Sequence, residues 1–81
     1  MTKKEYIIEN CKIDEYDYFL YFTKLSDVQK ACIVELVNGG FDVKDTCSKM
    51  YYHTSNAYMI AALTCLMKDN KHFIELQKLE D

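Results

Sequence analysis

Proline is absent from this chain, and its only two glycines are adjacent, Gly39 and Gly40. Sandwiches and barrels need many turns built from Gly, Pro and Asn-Gly pairs, and such punctuation occurs here once, so helices are favoured. Arginine is absent as well: all ten basic residues are lysines, against thirteen acids, for a formal net charge of -3. Arginine is the commonest reader of guanine and the best bidentate phosphate clamp. Its absence, with negative overall charge, weighs against a nucleic-acid role unless the lysines are segregated on one face. Long apolar runs are also missing. The longest, Ala57 to Met67, is broken by Thr64 and has core-helix length, short of the roughly 18 residues of a membrane span, so a soluble protein with no membrane partner is expected. Glu5, Glu9 and Asn10 fall where a secretory signal would carry its apolar segment, despite Lys3 and Lys4, which makes the cytoplasm the expected compartment.

Catalytic patterns are equally scarce. The two histidines, His53 and His72, stand nineteen positions apart, and no Ser or Cys lies in a nucleophile setting. There is no glycine-rich phosphate loop and no H-E-x-x-H, so no enzyme, cofactor or metal is expected. His53 reads as a turn residue and His72 as an exposed helical one. The four cysteines, Cys11, Cys32, Cys47 and Cys65, are spaced by 21, 15 and 18 residues without a C-x-x-C pair, which argues against zinc. Cys32, Cys47 and Cys65 read as small apolar core residues in a reduced compartment, since a disulfide framework requires secretion.

What the chain does contain is ordinary globular composition, 49% hydrophobic and 28% charged over 81 residues, enough for one domain spanning residues 1–81. Thr2-Lys3-Lys4-Glu5 has the form of a capping box and opens a short helix from Lys3 to Asn10. Asp14 and Glu15 make an acidic first turn for the nearly continuous aromatic run that follows, which is read as helical for that reason. Ser26-Asp27-Val28-Gln29 is a second capping box, followed by Val28, Ala31, Cys32, Ile33, Leu36 and Val37 at three- and four-residue spacing. Asn38-Gly39-Gly40 ends that helix with a glycine free to turn left-handed. Asp42 caps a helix from Val43 to Met50, Tyr51-Tyr52-His53 forms a connection, and Thr54 or Ser55 caps a helix running through Lys68. Asp69-Asn70 caps a last helix carrying Phe73, Ile74, Leu76 and Leu79. The fold class is all-α, a small bundle of five or six helices.

The segment from Leu25 to Leu76 has helix-turn-helix organisation, with its unit over residues 26–68. A helix, a glycine loop, a short helix with the small Cys47 at its fifth position, a tight turn and a longer helix follow one another, and a small residue lets two helices cross closely. Leu25-Ser26 with Gln29, Tyr51-Tyr52 before Asn56-Ala57-Tyr58-Met59-Ile60, and Leu66-Met67-Lys68 before Phe73-Ile74-Glu75-Leu76 resemble the N-terminal DNA-binding domain of phage small terminase subunits. The stretch from Val43 to Ala57 is also similar to the helix-turn-helix that closes some bacterial transcription regulators. The resemblance implies a phage or mobile-element protein in the host-cell cytoplasm whose third helix enters the DNA major groove. That helix would present Thr54, Ser55, Asn56 and Tyr58, with Asn56 able to pair with adenine. Since it carries no cation, phosphate contacts would fall to Lys44, Lys49, Lys68 and Lys71, each also readable as a solvated surface lysine. A homo-oligomer would multiply such weak contacts.

A second feature favours a protein partner. Glu9, Asp14, Glu15 and Asp17 accompany Tyr16, Tyr18 and Tyr21, and seven tyrosines are more than one small core can bury with every hydroxyl bonded. Exposed tyrosine is an interface anchor, and interleaved acids suit a basic, nucleic-acid-binding groove. The expected interface is Asp14, Glu15, Tyr16, Asp17 and Tyr21, while Phe19, Phe22 and Tyr18 plug the core. The chain would then act as an inhibitor of a nucleic-acid-processing protein, as phage-encoded antagonists of host defence do.

Overall fold

The structure, a computed structural model, describes the backbone of residues 1–52 and 69–81 and the side chains of residues 1–48 and 69–81. Among these it is helical, with five α-helices: α1 Lys3–Cys11, α2 Glu15–Tyr21, α3 Asp27–Asn38, α4 Val43–Tyr52 and α5 Lys71–Gln77. The expected helix from Thr54 through Lys68, and the expected turn at His53, lie outside the described residues.

Polar caps set where the helices begin. Thr2 Oγ1 accepts from the Glu5 backbone N–H at 3.1 Å while Glu5 Oε1 accepts from the Thr2 N–H at 2.7 Å, so the first capping box closes reciprocally. Ser26 and Gln29 do the same for α3, at 3.2 and 2.9 Å. Asp14 caps α2 through Asp17 N–H at 2.8 Å, and Asp42 caps α4 through Asp45 N–H at 2.9 Å. The buried Asn70 caps α5, accepting from His72 N–H at 2.7 Å and Phe73 N–H at 3.3 Å. Each cap satisfies donors that the first helical turn leaves without partners.

The ends differ more from expectation than the starts. Helix α1 continues one residue past Asn10 and stops where Lys12 turns left-handed, at φ 56°. Helix α3 ends in a Schellman arrangement: Phe41 N–H donates to Leu36 O and Gly40 N–H to Val37 O, both at 3.0 Å, with Gly40 at φ 104°. Helix α4 runs through Tyr51 and Tyr52, which were expected in a connection, because no glycine or proline stops it at Met50. Helix α5 stops at Gln77, so Leu79 packs half-buried beyond its end instead of within it, and Ile74 points to solvent.

Helix α3 is the central element. Ala31, Cys32, Ile33 and Val34 are all buried, and four successive residues step about 100° each around a helix, so neighbours must cover most of its circumference. Those neighbours are α5, α1 and α4, with α2 leaning on α1 and α4. Ile7, Cys11, Phe22, Leu25, Cys47 and Leu76 complete the buried cluster. Cys11 thus joins Cys32 and Cys47 as a buried thiol outside any disulfide, where only Cys32, Cys47 and Cys65 were expected in the core. Burial pushes the Cys11 and Cys47 thiols up to about 12 and Cys32 up to about 11, so all three stay protonated. The two ends of the chain meet: Lys3 N–H donates to Glu80 O at 2.8 Å, and Lys3 Nζ lies 2.6 Å from Asp27 Oδ2 and 3.3 Å from Asp81 Oδ1.

Candidate interaction surface

Helix α2 contributes no fully buried residue, although its sequence is apolar on nearly every side. Its phase is fixed from within. Tyr18 stacks on the buried Phe22 at the helix C-cap, with centroids 5.7 Å apart and planes 4° apart, and its hydroxyl accepts from Lys30 Nζ at 3.0 Å. Tyr21 packs half-buried against the same cluster. Positions 18, 21 and 22 therefore form the inner stripe, which turns 16, 19 and 20 outward on the opposite one.

Tyr16, Phe19 and Leu20 are 68%, 67% and 48% exposed. Large apolar residues scattered singly over a surface are ordinary, whereas three at one helical spacing form a contiguous patch of the kind that marks interaction sites. Exposed Asp14 and Glu15 sit at the N-terminal end of this patch and Asp17 is half-buried beside them. Carboxylates there complement the positive end of the helix. Glu15 also meets Lys4 of α1 at 3.5 Å, a solvent-screened contact between two exposed side chains.

The expected interface is thus redistributed. Asp14, Glu15 and Tyr16 lie on the outward surface as expected. Tyr21 does not: it turns toward the core, because it shares the inner stripe with Tyr18. Phe19 is the reverse correction. It was expected to plug the core and instead stands in solvent, since the inner stripe already ends on Phe22. Leu20 joins it outside, and the sequence reading had given neither residue an interface role. The Asp14 cap fixes where α2 begins but not which of its stripes turns inward; the packing of Tyr18 on Phe22 decides that.

The expected nucleic-acid contacts are only partly within the described side chains. Lys44 is exposed in the first turn of α4, flanked by the exposed Asp42 and Asp45. Lys71 is exposed at the start of α5 and shares an open surface concavity with Glu35, Asp69 and Asn70. Both lysines therefore stand among acids. Lys49, Thr54, Ser55, Asn56, Tyr58 and Lys68 lie outside the described side chains.

His72 departs furthest from its expectation. It is 3% exposed, not a surface residue, because its position one turn from Leu76 faces α3 and α1. Its Nδ1 lies 2.7 Å from the Tyr6 hydroxyl, and its Nε2 3.1 Å from Glu35 Oε2 and 3.3 Å from Asn38 Nδ2. A carboxylate only accepts, so Glu35 fixes the proton of the neutral ring on Nε2 and leaves Nδ1 to accept from Tyr6; Asn38 Nδ2, itself a donor, is then a neighbour of Nε2 and not its partner. Burial holds the imidazole below its ordinary value, against the pull of Glu35 and with a push from Lys71.

Among the described residues no helix is long and apolar enough to cross a membrane. Comparison with protein-family models, with curated proteins and with solved structures finds no match to this chain.

Proposed function

We propose that this protein is a non-catalytic binding module that docks α2 onto a partner protein carrying an apolar socket edged with basic groups. The outward stripe of Tyr16, Phe19 and Leu20, solvent-exposed on a helix whose other side is locked to the core, carries this reading. Aromatic anchors supply most of the energy of an interface, while the Asp14 and Glu15 carboxylates steer the approach and select a positive surface. A groove that binds nucleic acid has that positive character, so the module would compete with nucleic acid for it.

The test immobilises the wild-type chain beside Phe19→Asp and Glu15→Lys and passes extract of its host cell over each. Glu15 is preferable to Asp14 for charge reversal because it leaves the α2 cap intact. A basic partner should be retained by wild type, displaced by duplex DNA and by salt, and lost on both variants. Equal retention on all three surfaces would contradict the reading.

Direct nucleic-acid binding is the second reading, favoured by the α3, paired-glycine turn and α4 succession with Cys47 buried at its small position. Exposed Lys44 and Lys71 would supply phosphate contacts, multiplied in a homo-oligomer. Titration of labelled duplex at low and moderate salt separates the two. Binding with a steep salt slope supports this reading, and no binding at low salt removes it.

A further inference from the structure

We propose that the His72 node is an acid-sensitive latch, in which protonation of the buried imidazole loosens α5 and the terminal contacts that α5 carries. It rests on different residues from the α2 surface and holds whatever that surface binds. One ring joins three helices: Tyr6 from α1, Glu35 from α3, and His72 itself from α5. Beyond α5, Glu80 pairs with Thr2, and Gln77 Nε2 donates to Asp27 at 3.2 Å, so the helix also holds the ends of the chain together.

Protonation disturbs this node in two ways. Both ring nitrogens become donors, so the Tyr6 hydroxyl can no longer donate to Nδ1 and must turn to accept from it. A full charge also appears on a ring that is 3% exposed, which costs desolvation. Among the described residues, three charged groups bear on the outcome. Glu35 from α3 attracts the cation, but its side chain is 45% exposed and screened by water. Lys71 beside His72 repels it, and Glu75 on the outer part of α5 acts on the Tyr6 hydroxyl. Burial outweighs Glu35. Unfolded His72 takes up its proton near pH 6.5 and the folded chain does so only below that. Its contribution to stability is therefore complete above about pH 6.5 and is lost as pH falls through that value toward the folded one.

Amide hydrogen exchange of α5 at pH 7.5 and pH 5.5, corrected for intrinsic exchange, tests the latch on the intact chain. Wild-type protection should fall toward acid, by at most about tenfold per pH unit inside the window. The fall should disappear in His72→Gln, persist in His53→Gln, and grow in Glu35→Gln, where the cation loses the attraction of Glu35. Protection that is constant or rises in acid, a fall that survives His72→Gln, or a fall that shrinks in Glu35→Gln overturns the latch. Should His72→Gln not fold, imidazole proton NMR of the wild type decides. Titration of His72 below its ordinary value supports the latch, and titration at or above it refutes it.

Discussion

Two phenylalanines three residues apart differ in everything but chemistry. Phe22 is fully buried against Tyr18, whereas Phe19 stands 67% exposed. Truncating Phe22 to alanine removes a ring from a packed site and should cost about 3 to 5 kcal/mol of unfolding free energy. The same truncation at Phe19 should stay within about 0.5 kcal/mol, because it empties no cavity. Urea denaturation of the two variants measures both, and a similar loss at each would mean the phase of α2 is wrong. The buried thiols give a second residue-scale prediction. Unfolded cysteine ionises near pH 9 while folded Cys11, Cys32 and Cys47 remain protonated, so the unfolded chain binds fewer protons and stability falls as pH rises above that value. The slope between pH 8 and 9.5 should diminish with each Cys→Ala substitution, and a slope unchanged in all three variants would contradict burial of the thiols.

At the scale of elements, the paired glycines separate backbone conformation from space. Gly40 has nothing within 4 Å of where a side chain would begin, yet its φ of 104° is one that L residues rarely adopt. Gly40→Ala should therefore cost about 1 kcal/mol or more. Gly39 has φ -84°, with Leu36 O at 3.4 Å from an added Cβ. Gly39→Ala should be neutral or stabilising by up to about 1 kcal/mol. Thermal unfolding that ranks the pair the other way would contradict the Schellman end. Lys12 offers the complementary test: in its left-handed conformation, Lys12→Gly should raise the melting temperature. Helix starts were legible in the sequence because a cap is a local device, written in Thr2, Ser26, Asp42 and Asn70 and read within three residues. Helix ends were less so. Helix α4 continued through Tyr51 and Tyr52 where nothing local stopped it. The phase of α2 was hidden because tyrosine and phenylalanine fill both of its stripes, and only the packing of Tyr18 on Phe22 decides which faces inward.

For the whole molecule, a single central helix explains why distant residues matter. His72 looked like a surface residue because its partners Tyr6 and Glu35 lie on other helices, Tyr6 66 positions away in the sequence, and no local pattern announces them. The same packing leaves α2 with core contacts on one side and Tyr16, Phe19 and Leu20 exposed on the other. Fold class was thus readable from composition and caps, while the outward apolar stripe of α2 appeared only once the helices were assembled. The most direct measurement places a photo-crosslinking benzoylphenylalanine at position 19, and in a control chain at position 74 on α5, and irradiates each in extract of the cells that produce the protein. An adduct with one basic, nucleic-acid-binding protein at position 19 and none at position 74 is the predicted result. No adduct at position 19, or the same adduct from both positions, would contradict α2 as the docking surface.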